Sequence, residues 1–355
     1  MVRGFSFPMV WLALLWAAGL TLPAATHAVS QVSVRADAAP WPPQVSEEAR
    51  AKPPGLLGPV GPRGQPRRVK TLDITEKGVY EDYLVDQEGG ARTEVIRIKA
   101  DGAVLRNCEI RNGTRDGVGV HAADVLIENC RIHHFLAQTF KEQKDAHGIT
   151  GRPTRLTIRN CEIYYVSGDA VQFDPARKPW TDVLIENCDF WTGPLPADAA
   201  GFRKGEQPGE NAVDTKQLKT NPRSRMVIRN SVFHGFLKGG QISNMAALNL
   251  KNNVDVRVEN CAFWDNEICL RLRGEGTKAD NKYGGAHVTV QDCSFYTSDL
   301  AVRYEDKIED LKLTNLAFGA GVKQKVRCIG GQGRGFESSG ERQAPPLADL
   351  LKPKP

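Results

Sequence analysis

The sequence predicts an all-β solenoid of about eight coils, and three observations carry that prediction. A short phrase returns eight times, as VLRNCEI, VLIENCRI, LTIRNCEI, VLIENCDF, MVIRNSVF, VRVENCAF, VTVQDCSF and LKLTNLAF. Its polar anchor falls at Asn107, Asn129, Asn160, Asn187, Asn230, Asn260, Asp292 and Asn315, at intervals from 22 to 43 residues. A fixed phrase with an elastic remainder means one structural unit per coil, with loops inserted elsewhere. Around each anchor the chain alternates with period two, and no long amphipathic helix separates the copies, so each coil buries its inner face on its neighbours. Asn stacked at one turn can form an amide ladder.

The chain is taken in order from its start. The stretch MVRGFSFPMVWLALLWAAGLTLPAATHAVS pairs a basic Arg3 with an apolar run from Met9 to Leu22 and small residues ending at Ala28. It reads as a signal peptide over 1–28, cleaved after Ala28, which makes the mature chain secreted or periplasmic, with no membrane contact. Residues 29–68 are rich in Pro, Ala and Gly and lack periodicity, as expected of a linker or arm. The solenoid then covers 69–329, and 330–355 reads as a flexible C-terminal tail.

Of 355 residues, 41% are hydrophobic and 25% charged, enough for a sizeable core. Removal of Arg3 takes the formal net charge from +5 to +4. That is too mild to argue for nucleic acid, and none is expected as a partner; it suits an acidic ligand if the charges cluster. Cys108, Cys130, Cys161, Cys188, Cys261 and Cys293 each follow the anchor directly, and Ser231 takes that slot once. One small residue per coil in one slot reads as an inward stack of free thiols rather than a disulfide framework. Cys269 and Cys328 lie off this stack, and their redox state stays open.

A second strand follows each phrase: DGVGVH, AHGITG, GDAVQF, NAVDTK, GQISNM, ICLRLR and LAVRYE. Registered on Val118, Ile149, Val171, Val213, Ile242, Leu270 and Val302 as inward residues, they present outward Gly119, Thr150, Gln172, Asp214, Ser243, Arg271 and Arg303. Two positions on come His121, Arg152, Asp174, Lys216, Met245, Arg273 and Glu305. Arg271 and Arg303 would then stack in register beside carboxylates, which suggests a site for an anion. The plainer reading of the same face is solvated ion pairs, Arg273 with Glu305 and Asp174 with Lys216.

Flanking residues add His147, Asp169, Glu210 and Asn211. Asp169, Asp174, Asp214 and Glu210 make an oxygen-rich cluster of the kind Ca²⁺ takes. His147 is a candidate acid or base, with a structural hydrogen-bonding role as its alternative. Loops 191–209 and 135–145 would flank this face. Trp191 is a candidate to stack on a sugar ring or to seal the core.

The phrase [VI]-x-[IV]-x-N-C-x-[IF] resembles the right-handed parallel β-helix proteins of the pectate-lyase-like superfamily, over about residues 95–320. The resemblance implies an all-β, right-handed parallel β-helix; that fold hosts lyases, hydrolases, epimerases and adhesins. It also implies an acidic, uronate-containing polysaccharide as partner, cut by β-elimination with Ca²⁺. Carried over, Asp169, Asp174 and Asp214 are candidate metal ligands and Lys216 the candidate base; Arg271 and Arg273, from the outward face, are further catalytic candidates. Gln172, Arg152 and Arg303 would bind substrate. No run of adjacent aspartates is present.

Two other readings compete. Asp174 and Asp214, about 7–8 Å apart as diagonal neighbours, have the separation of an inverting hydrolase. The hydrolases of this fold carry an aspartate pair, Gly-His-Gly and Arg-x-Lys, whereas this chain has Ala146-His147-Gly148 and Arg271-Leu272-Arg273. A non-catalytic carbohydrate-binding surface protein is the third. A monomer is expected. Sugar, linkage and endo or exo action are not readable from the residues.

Overall fold

A computed structural model describes residues 55–173, 178–276 and 284–352. The signal segment, residues 29–54 of the expected linker and Asp174 lie outside the described residues. Three parallel sheets enclose one core. Sheet I has eleven strands, from Arg67–Val69 to Arg342–Gln343. Sheet II has ten, from Leu72–Ile74 to Gln324–Ile329, and sheet III ten, from Val79–Glu81 to Glu337–Ser339. The chain visits I, II and III in turn, and each strand pairs only with its equivalents one coil away.

The recurring phrase is the corner from sheet III to sheet I. Every anchor sits there with positive φ, from 48° at Asn260 to 56° at Asp292. Asn and Asp tolerate this left-handed conformation because their short side chains can bond locally. The amides then bond up the stack: Asn129 Nδ2 donates to Asn107 Oδ1 at 2.6 Å, and Asn260 Nδ2 to Asn230 Oδ1 at 2.8 Å. The same corner carries Asp82 (φ 59°) in the coil before and Gly340 (φ 71°) in the coil after. These two residues hid both coils, so among the described residues ten or eleven strands per sheet replace the expected eight coils.

Inside, residues of equal position stack. Phe190, Phe233, Phe263, Phe295 and Phe318 form a ladder with ring centroids 5.0–5.4 Å apart. Seven of the eight cysteines are buried and all are unpaired, Cys328 alone being exposed. The thiols of the stack point at main-chain carbonyls, as Cys130 Sγ does at Glu128 O (3.2 Å).

Residues 330–352 correct the expectation of a loose tail. They supply the last strands of sheets I and III and a short helix, Leu347–Leu350. Leu350 and Ala344 pack with Val232, Trp264 and Tyr296 on the outer side of sheet I. An apolar outer patch needs such a cover. The described part of the expected arm is also tied down: Leu56 N–H donates to Leu350 O (3.4 Å), Gly61 N–H to Asn129 O (3.1 Å) and Arg63 N–H to Asp82 Oδ1 (2.9 Å). No described helix is long and apolar enough to cross a membrane.

Candidate functional site on sheet II

The strands of sheet II align Val118, Ile149, Val171, Val213, Leu248, Leu270 and Val302 as inward neighbours. Six of these seven are the expected residues; the fifth is Leu248, not Ile242. Residues 235–245 form a loop, with Gly235 and Asn244 at positive φ, and the strand is Ala246–Leu250. Ser243 and Met245 therefore leave the face, and Asn249 and Lys251 take their places. The stretch ALNLK alternates more strictly than QISNM, and that signal was available in the sequence. The outward row reads Gly119, Thr150, Gln172, Asp214, Asn249, Arg271, Arg303 and Arg327.

Asp214 lies at the centre of this row and is 4% exposed. Lys251 Nζ is 2.9 Å from its Oδ1 and Lys216 Nζ 3.8 Å from its Oδ2. The Lys251 ion pair is the contact of Oδ1 among the described residues, and a carboxylate oxygen can accept more than one donor. Burial pushes the Asp214 carboxyl above the ordinary range, against the pull of Lys251, Lys216 and His147. Its in-register neighbour Asn249, 6% exposed, has an Oδ1 with no hydrogen-bond partner among the described residues. A buried acceptor without a partner is costly unless a ligand or water supplies a donor. Trp180 holds the end of the strand by donating to Lys216 O (2.8 Å).

At the corner from sheet I into sheet II, His147, Asp169 and Asn211 are all buried. Asn211 donates twice to Asp169 Oδ1, from its main-chain N (3.0 Å) and its Nδ2 (2.7 Å). Burial drives the Asp169 carboxyl well upward, and Asp214 and Glu210 add to it. Glu210 is raised by burial first, then by Asp145 and Asp214. The His147 ring is held at both nitrogens: Asp169 N–H donates to Nδ1 at 2.9 Å, and the Gln172 amide sits 2.8 Å from Nε2. Gly168 permits this seat, because a Cβ there would lie 2.6 Å from His147 Nδ1. His147 and Gln172, expected to meet substrate, satisfy each other instead.

The arginines converge on one carboxylate. Glu305, itself 4% exposed, takes Arg271 (2.8 Å), Arg273 (2.9 Å) and Arg303 (2.6 Å). Arg273 also reaches Asp306 at 3.1 Å, and Arg303 donates to Asn244 Oδ1 at 2.5 Å. The expected Arg273–Glu305 pair is present as one of three. Arg152 follows the sheet II strand Ile149–Gly151, three strands before Lys251 in the stack.

Trp191 is not on this face. It ends the sheet I strand Asp189–Trp191, its ring lying between Tyr164 (4.2 Å) and His234 (6.1 Å), both near-parallel, and its Nε1 donates to Glu162 (3.1 Å). With both ring faces occupied it has none left for a sugar, which corrects the expected stacking role.

Of the four expected calcium ligands, three are among the described residues, and two of these already have partners. Asp174 lies outside them, Asp214 already faces Lys216 and Lys251, and one Asp169 oxygen is taken up by Asn211. No three His, Cys, Asp or Glu side chains among the described residues converge as metal ligands. The arrangement can instead receive an anion on its guanidinium side and a hydroxyl at Asp214 and Asn249, with an amine between them.

A family model described as "Right handed beta helix region" matches residues 94–234 and 147–315. No curated protein matches at a significant level. Among solved structures the chain is similar to a pectate lyase, at 14% identity over 84% of this chain and 74% of that one, TM-score 0.47. An alginate lyase from a Paenibacillus species gives 13%, 78%, 89% and 0.42. A surface adhesin of Streptococcus pneumoniae gives 11%, 76%, 76% and 0.43.

Proposed function

The chain belongs to the right-handed β-helix family, and from that premise we propose that it is exported and cleaves an acidic, uronate-containing polysaccharide by β-elimination on sheet II. The observation that supports this most is the buried Asp214 with two lysines, one strand from Asn249 and two from Arg271.

Each group has a role that follows from its place. Arg271 faces the uronate carboxylate, and neutralising that charge acidifies the proton on the adjacent carbon. Lys251, the nearer of the two lysines, keeps the ion pair with Asp214. Lys216 is the more exposed, its side chain 35% accessible against 18% for Lys251. As the neutral amine, with Lys251 alone carrying the charge opposite Asp214, it is placed to receive the proton at Nζ. The electron pair of the broken C–H bond forms the C4–C5 double bond, the C4–O bond breaks, and the leaving oxygen takes a proton from water. Asn249 Oδ1 accepts from a ring hydroxyl and orients the sugar. No step is routed through calcium.

The test is incubation of the exported protein with a panel of uronate polysaccharides, with and without chelator, following ultraviolet absorbance of the unsaturated product. Lys216→Ala abolishes turnover and leaves the fold intact; Lys251→Ala loses both turnover and binding. New reducing ends without absorbance would replace elimination by hydrolysis. Retained activity in Lys216→Ala would remove the assigned base, and loss of activity on chelation would restore the metal.

A further inference from the structure

We propose that the outer face of sheet III, away from the reacting centre, is the interface of a weak homodimer, in place of the expected monomer. The outward row along the middle of its first six strands is Val79, Val104, Leu126, Thr157, Leu184 and Val227. Five of the six are apolar, on a side that the core does not use. Val79 is 52% exposed and Val104 and Leu126 are half-buried, whereas Leu184 and Val227 are buried. From the seventh strand on the row turns polar, as Arg257, Thr289 and Lys312. An apolar row that faces out along six strands is a contact surface for another body.

The charges beside the row select the occupant. On one flank Glu81, Arg106, Glu128, Arg159, Glu186 and Arg229 alternate in sign. On the other flank Asp124, Arg155, Asp182 and Arg225 alternate in the same phase. These charges are paired along their own rows, so they add little attraction of their own. Their phase still decides which surfaces can approach, because like charges brought opposite are unfavourable. A second copy related by a two-fold axis along the solenoid sets each strand against its equivalent, and Asp124 then faces Glu128. A copy turned end over end, first strand opposite sixth, sets Glu81 against Arg229, Arg106 against Glu186 and Asp124 against Arg155. That same register lays the whole apolar row on itself: Val79 on Val227, Val104 on Leu184, Leu126 on Thr157. The contact is the self-complementary kind that a two-fold dimer requires. Six strands about 4.8 Å apart and about six residues across cover about 600 Å² per copy, the low end for a specific interface. Lys77, just ahead of the first strand, is the exception, since it falls opposite Arg225. Sheet II stays open in this arrangement, so the interface does not depend on the proposed reaction.

Sedimentation equilibrium of the mature chain over a concentration series, at low and physiological salt, tests the interface. The wild type passes from monomer to dimer as concentration rises. Leu126→Arg sets a cation against Arg155 and Arg159 of the second copy and weakens the dimer about tenfold. Val79→Arg, at an exposed position, repeats the test if the first variant fails to fold, which circular dichroism reads. Lys77→Glu removes the like-charged pair at both ends and tightens the dimer about fivefold, most at low salt. With the axes parallel, Lys77 would face Glu81 and the same variant would weaken the dimer, which would overturn the orientation. A dimer unmoved by either arginine variant would overturn the assignment of this face. A chain that stays monomeric at every concentration would overturn the interface and leave the face to solvent or to another partner.

Discussion

His134 shows how one residue couples backbone, burial and pH. It lies within the sheet I strand Arg131–Phe135 at φ 57°, in register with Asn112 at φ 58°. Its Nδ1 lies 2.6 Å from His133 Nδ1, so only one of the two rings can carry the proton between them. Burial, then His133 and Arg111, lower its pKa to about 4. A group depressed below its ordinary 6.5 binds protons better in the unfolded chain, so its contribution is complete above pH 6.5 and is lost as pH falls towards 4. Asp169, Glu210 and Asp214, raised in the fold, act in the opposite sense. Comparison with His134→Asn cancels them. Asn already serves the aligned position on the neighbouring strand, so the variant folds, and its melting temperature falls less between pH 7 and 4.5 than the wild type's. Equal falls in both proteins would remove His134 as the source.

Among elements, the corner from sheet III to sheet I and two charge ladders along the sheet III strands govern register. Glu81, Arg106, Glu128, Arg159, Glu186, Arg229 and Glu259 alternate in sign along one outer row of sheet III. Asp124, Arg155, Asp182, Arg225 and Asp255 do so at the other end of the same strands. Exposed pairs add little stability each, but a slip by one coil would bring like charges together, so the rows hold the stacking order. The corner contributes more. Asn187, at φ 53°, donates to Asn160 Oδ1. Asn187→Ala is expected to cost about 2 kcal/mol, roughly half from left-handed strain and half from the lost bond. Asn187→Gly keeps the backbone conformation and costs less. Urea unfolding measures both, and a glycine variant no better than alanine would assign the cost wholly to the amide.

At the scale of the molecule, the terminal segments decide whether the solenoid has an exposed apolar side. Leu350 and Ala344 cover Trp264, Tyr296 and Val232, and Leu56 joins them. Truncation after residue 329 removes a coil as well as this cover. The shortened chain should melt several degrees lower and associate, seen as increased light scattering. An unchanged melting temperature with no association would return 330–352 to the role of a dispensable tail.

Period-two alternation, one polar anchor per coil and one small residue after it were enough to read the parallel solenoid, because every coil repeats the same short-range problem. Coils whose anchor is Asp82 or Gly340 escaped, since the backbone selects a left-handed conformation, which Asn, Asp and Gly all supply. The face bearing Gln172, Asp214, Lys216, Arg271 and Arg303 was likewise legible from alternation. What the sequence could not determine was which outward residues meet across coils. Lys251 reaches Asp214, Glu305 gathers three arginines, and His147 turns to Gln172 and Asp169. Trp191 is stacked shut on another sheet. Those contacts depend on loop lengths that shift the strand after residue 245, and most join side chains more than 20 positions apart in the chain. Local pattern sets which way a residue points; only closure of the coils sets what it points at.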